Sequence, residues 1–383
     1  MRVLVCARVC ALVVAIGFAV PAALAEPGPA VAPAAAPTPS PAPALNAAQF
    51  WRAVQAKCDT TAAKPPSALS LRIAQTAIDE FTNFDGHKVD VTGRLFRFGL
   101  TEAEHTEEEG GGPSEQLSHL GWRQVMKYWR TLFGDDFASK LEVRGYRDAS
   151  TAPDSAQQVE LIRTDAATLM RAADAATDPE VREVLRETAI RAAIVDTPWS
   201  AAFISYVIRH AGVPDNGFQF SNAHRAYIYE AFATSAAELS NTAGNQVYRA
   251  CPINSTRPRV GDMICQQREP TLVAATDEAV RERIRAELAS GTDTRSIRRT
   301  HCDVIASIDA QAGKIYVIGG NVSQSVTARK LYLRGRDLMI SENQRGTCGG
   351  PGNWTMPSAG PPPPPSDTCS LNDRKRFVLM QVR

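Results

Sequence analysis

The chain predicts an α+β fold, helices first and an antiparallel sheet after them, on three observations. Before residue 210 the apolar side chains recur mostly at helical spacing. From 260 to 382 they gather in short runs rich in Val and Ile, separated by glycine-containing turns. Between these regimes lies Pro198-Trp199-Ser200-Ala201-Ala202-Phe203-Ile204, a helix start that carries a hydroxyl into an otherwise apolar run.

Residues 1–25 read as a secretory signal, with Arg2 and Arg8 near the start, an apolar stretch from 11 to 20, and Ala23-Leu24-Ala25 before a cut. That apolar stretch is too short for a lasting bilayer anchor. The expectation is therefore an exported chain, periplasmic or extracellular, with no integral membrane segment after cleavage. Residues 26–45 hold seven prolines among alanines, a linker that favours extended polyproline and buries no core. Residues 46–383 are expected to form one α+β domain. Its parts are a helical region (46–195), a core (196–345), a proline-rich loop (346–370) and a final strand (374–383).

Lysine and arginine number 42 against 41 acidic residues. Such balance gives no basis for a nucleic-acid partner or an anionic membrane surface. Six cysteines remain once the signal is set aside, and an even number in an exported chain points to disulfides. The preferred pairs are Cys265 with Cys302, on strand-like runs expected to be neighbours, and Cys348 with Cys369, closing the proline-rich loop. Cys58 then pairs with Cys251.

Phe50, Trp51 and Val54 predict a short helix, and residues 66–84 a longer one through Leu69, Ile73, Ala77 and Phe81. Residues 93–98 alternate as a strand. Residues 102–112 are acidic and glycine-rich, an exposed loop without the alternating Asp/Asn pattern of a calcium site. Residues 114–133 return to helix, with Trp122, Tyr128 and Trp129 on an apolar face that reads as packed core, or as a shelf for sugar rings. Residues 156–194 read as two helical runs broken at Asp178-Pro179. Gly212 then stops the central helix. Ser221 or Asn222 is placed to cap the next helix, which carries His224. Residues 257–265 read as a turn feeding a strand, 277–290 as a solvated charged helix, and 300–308, 314–318, 328–333 and 376–382 as strands.

At the first turn of a buried helix a hydroxyl meets free backbone N–H groups and the positive end of the helix dipole. Ser200 so placed is either a plain helix-start residue or a nucleophile. His224 is either a hydrogen-bonded structural residue or part of the same cleft. The order Ser200 at a helix start, Gly261-Asp262-Met263 at a strand start, His301 on the next strand and Asn321 after the following one has the logic of a papain-like site.

In these blocks the chain resembles the bacterial cell-wall hydrolases of the CHAP and NlpC/P60 type. More closely, residues 72–321 and the last strand resemble the bacterial family domain of unknown function 2272, through blocks 198–204, Ala223-His224, 261–265, 301–304 and 318–326. The resemblance implies a papain-like fold with Ser200 as nucleophile, His301 as general base and Asn321 as the residue that orients the imidazole. Trp199, His224, Asp262 and Asp303 are further cleft candidates. The chain departs from the hydrolases in carrying Ser where they carry Cys, and a hydroxyl must lose its proton during attack whereas a thiol can be ionised beforehand. Asp303, two residues along the strand from His301, offers a carboxylate on the same face. Neither a CxxC nor an HExxH pattern occurs, so no metal and no cofactor are expected.

Two functions fit this reading. One is an exported peptidoglycan peptidase or amidase using Ser in place of Cys. The other is a catalytically inactive envelope module that binds a wall peptide or a protein partner, with a structural factor tethered by the linker as a further variant.

Overall fold

The computed structural model describes residues 45–103, 120–148, 159–268, 272, 275–291, 294–335, 337–340 and 370–383. Helix α1 (Ala47–Ala62) starts at Asn46, whose side chain accepts from the Gln49 N–H while Gln49 returns a bond to the Asn46 N–H. Helix α2 (Ala68–Asn83) is capped by Ser67. Two short strands, β1 (His87–Val89) and β2 (Leu95–Arg97), precede α3 (Gly121–Phe133). A hairpin of β3 (Glu142–Asp148) and β4 (Val159–Asp165) then leads into α4 (Ala166–Ala173) and α5 (Pro179–Asp196). The central helix α6 (Ser200–His210) and α7 (His224–Leu239) follow. The rest is β5 (Tyr248–Pro252), β6 (Met263–Gln267), α8 (Asp277–Ala289), β7 (Thr300–Asp309), β8 (Lys314–Val322), β9 (Ser325–Arg334), β10 (Met339–Ile340) and β11 (Arg376–Val382).

The main sheet runs β2-β1-β9-β8-β7-β6-β11-β5, with β10 also on β9, and every pairing is antiparallel except β1 on β9. The mixed α+β class with an antiparallel-rich sheet is thus present. The sheet is wider than 260–382, because β1, β2 and β5 extend its edges. No helix among the described residues is long and apolar enough to cross a membrane.

Three local expectations are corrected. Residues 159–165, read as the start of a helical run, form β4. Asp165 accepts from the Thr168 N–H and so delays the helix to Ala166, while Glu160 pairs with Arg147 across the hairpin. Neither Ser221 nor Asn222 occupies the α7 cap position. That position falls to Ala223, and Ser221 Oγ accepts the Ala223 N–H one step earlier while its carbonyl accepts from Ser205 on α6. Glu102, assigned to an exposed loop, is buried at 1% exposure.

Helix α6 buries Ala201, Ala202, Phe203, Ile204, Val207 and Ile208 against β7, β8, α2 and α3. Each of its large apolar side chains contributes roughly 1.5–3 kcal/mol by leaving water. The aromatic face of α3 is core rather than a sugar shelf, since Trp122, Tyr128 and Trp129 are buried. Tyr128 and Phe84 pack on the Trp199 ring at 5.7 and 5.9 Å.

Cys58 is bonded to Cys251, tying α1 to β5, and Cys265 to Cys302, tying β6 to β7. Cys348 and Cys369 lie outside the described residues. Because the first bridge spans 193 residues, its loss frees a large loop in the unfolded chain. The Cys58→Ala/Cys251→Ala variant is expected to lose about 2–4 kcal/mol in urea unfolding, and an unchanged midpoint would contradict that.

Candidate active site

The site forms where the start of α6 meets the start of α7 over β7 and β8. Ser200 is the first residue of α6, partly exposed, and no side chain caps that helix end. Its Oγ lies 2.7 Å from His224 Nε2. The other ring nitrogen, Nδ1, is hydrogen-bonded to the Tyr227 hydroxyl, one turn along α7. With Nδ1 protonated and donating to Tyr227, Nε2 is free to accept the serine proton. His224 is 5% exposed and Tyr227 1%. Burial, with the nearby His301 and Arg268, pushes the His224 imidazole well below its ordinary range, so it is neutral at neutral pH.

Behind this pair stands a second one. The rings of His224 and His301 meet edge to face at 5.0 Å, and His301 Nε2 lies 3.2 Å from Asp303 Oδ1. The second Asp303 oxygen is taken by Arg329. Burial opposes ionisation of Asp303, but the Arg329 guanidinium and His301 outweigh it and hold the carboxyl well below the usual carboxylate range. The result is a buried Arg–carboxylate–imidazole row in which the Asp303 charge favours a proton on His224, against the larger opposing effects of burial, His301 and Arg268.

Two consecutive glycines in β8 make room for the second pair and for the start of the central helix. A Cβ at Gly319 would lie 2.0 Å from Asp303 Oδ1, and one at Gly320 would lie 2.5 Å from Phe203 Cβ and 2.8 Å from the Trp199 ring. Glycine inside a strand here marks a close approach of side chains to the backbone.

The expected roles are therefore redistributed. Ser200 meets His224, not His301, and His301 stands in a second row. Asn321 does not orient the imidazole: His301 Nδ1 has no partner among the described residues, and Nε2 is held by Asp303. Asn321 instead adopts a φ of +53° at the bulge near the end of β8, a conformation asparagine tolerates. Trp199 is wholly buried and supports the core rather than lining an opening. Asp262 lies four positions along β6 from Gln266, the partner of His301, or roughly 13 Å away. There it accepts the Arg259 and Val382 N–H groups at 2.9 Å and closes a corner of the sheet. Burial raises it to about 7, against the pull of Arg259.

Tyr227, Arg329 and Glu102 escaped the sequence reading. His224 and Tyr227 stand three apart on one helix face, a spacing that signals contact. Glu102 carries a carboxylate oxygen with no hydrogen-bond partner among the described residues. Burial raises its carboxyl to about 7, partly offset by the Trp199 indole N–H, which faces it without meeting hydrogen-bond geometry. The folded chain thus holds an extra proton between 4.5 and about 7, and stability falls as pH rises through that window. Glu102→Gln removes this dependence. In urea unfolding the variant is expected to match the wild type near pH 4 and exceed it by about 3 kcal/mol at pH 8, whereas parallel pH curves would refute the assignment.

Among the described residues no three His, Cys, Asp or Glu side chains converge as a metal site. The family model DUF2272, described as an uncharacterised protein conserved in bacteria, matches residues 117–382. No curated protein and no solved structure matches the chain.

Proposed function

We propose that this chain, which belongs to the bacterial family domain of unknown function 2272, is an exported serine hydrolase of papain-like architecture that cleaves an amide bond in peptidoglycan peptides. The observation that carries this reading is the 2.7 Å contact between a partly exposed serine hydroxyl and a neutral, buried imidazole. Ser200 Oγ attacks the carbonyl carbon as His224 Nε2 takes its proton. The uncapped N–H groups at the start of α6 receive the oxyanion. The imidazolium, steadied by Tyr227 and by the Asp303 charge behind His301, returns the proton to the leaving amine. Water then releases the acyl group by the same base. The export component rests on the signal-like residues 1–25, and the disulfides suit an oxidising compartment.

A second reading, a non-catalytic envelope module, is favoured by one observation: a neutral phenol, not a carboxylate, holds the Nδ1 side of His224, while Asp303 is already paired with Arg329. Incubation of the purified chain with cell-wall sacculi separates the two. Release of new amino termini by the wild type, absent in Ser200→Ala, is the expected result. Tight binding of sacculi by both proteins with no release would establish the module instead.

A further inference from the structure

At the start of β11 three consecutive basic residues, Arg374, Lys375 and Arg376, line a cavity of about 250 Å³ bounded also by Asn254, Thr276 and Ile340. Both guanidinium groups are held by main-chain carbonyls: Arg374 Nη1 donates to the Asp373 carbonyl and Arg376 Nη2 to the Asn372 carbonyl, each at 2.9 Å. Neither arginine forms an ion pair among the described residues. Asp277, which also lines the cavity, is paired with Arg281, and Asp303 is paired with Arg329. Loss of hydration and the neighbouring Arg329 charge bring Arg376 down to about 9. The charges of Asp373 and Asp303 act favourably on both arginines, but Arg374, Lys375, Arg376 and Arg329 outnumber these two carboxylates, and such a surplus of positive charge is costly to desolvate unless a further anion joins it. Helix α8 starts at the same wall, with Thr276 as its cap residue, and turns the positive end of its dipole toward the space.

The cavity is linked to the site by strand register. Arg376 stands opposite Gln266, and Gln266 opposite His301, so the basic wall begins two strand spacings, roughly 10 Å, from His301. Between them the Gln266 side chain is 1% exposed, and its Nε2 has no hydrogen-bond partner among the described residues.

We infer that this cavity binds an anionic group, a carboxylate or a phosphate, carried by the ligand of this chain. Resting on the hydrolase reading, that group is the acidic end of the substrate, roughly three residues of extended peptide from His301. Calorimetric titration of the whole chain with inorganic phosphate, with N-acetylalanine and with the uncharged N-acetylalanine amide, at one ionic strength, tests it. At least one of the two anions is expected to bind and the amide to give no heat; which anion binds tells carboxylate from phosphate. Arg374→Gln and Arg376→Gln are each expected to weaken binding by about tenfold, and Lys375→Gln, at an exposed position that folding tolerates, by about two- to fivefold. No heat with either anion, or equal affinity in the wild type and all three variants, overturns the proposal. Ser200→Ala is expected to bind the anion as the wild type does, so an inert Ser200 and an absent anion site give different results.

Discussion

His224→Gln is expected to slow covalent labelling of Ser200 by a fluorophosphonate by about 10²- to 10⁴-fold, the range a positioned general base contributes. Glutamine keeps much of the ring's bulk and can still hydrogen-bond Ser200, yet it cannot take a proton. His301→Gln is expected to cost far less, about tenfold, because His301 touches His224 only ring to ring. Asn321→Ala should leave labelling within about threefold, since its amide holds neither nitrogen of His301. The rate should also stay level from pH 8 down through the ordinary histidine range, falling only where the depressed His224 finally binds a proton. A larger loss at His301 than at His224 would return the base role to His301; burial lowers both imidazoles, so an ordinary titration midpoint near 6.5 would contradict either histidine as the base.

Arg329→Met is the substitution expected to harm folding most. Asp303 and Arg329 are each 2% exposed, so methionine would leave a buried carboxylate hydrogen-bonded only to His301, with Arg376 acting on it through charge alone. Breaking such a pair from one side costs about 3–5 kcal/mol. The pH dependence has a definite sign. Asp303 is held below its ordinary value in the folded chain, so its contribution is present above about 3.8 and is lost as pH falls toward its folded value. Guanidinium unfolding at pH 7 and pH 3 should therefore show a wide gap between wild type and variant at the higher pH and a narrower one at the lower. A variant as stable as the wild type at pH 7 would mean that the row carries no such weight.

The strands β6, β7, β8, β9 and β11 and the helices α1, α2 and α6 were legible from short apolar runs or apolar residues at helical spacing, and α8 from charged residues at helical spacing; the two-residue β10 was not. The β3–β4 hairpin was not. Its residues 159–165 mix charged and apolar side chains without a clean alternation, and what makes them a strand is pairing with a segment eleven or more residues away. The site divides along the same line. Ser200 is marked by local helix-start chemistry and His224 by its place near the next helix start, so both were named from the chain itself. Which histidine the serine meets depends on how α7 crosses the sheet, and short motifs hold no such information. Resemblance assigned that contact to His301 because motif order preserves sequence and not depth. Arg329 sits in an apolar strand with nothing local to announce a buried ion pair. Gly319 and Gly320 are explained only by the side chains they admit, Asp303 from one strand and Phe203 from the central helix.

Proteolytic mapping by mass spectrometry after treatment of the native wild-type chain with diisopropyl fluorophosphonate bears most directly on whether Ser200 is an activated nucleophile. A single phosphoryl adduct on Ser200, lost when the chain is unfolded before treatment, is the expected result. An unmodified Ser200, or modification of another hydroxyl at the same rate in native and unfolded chain, would contradict it.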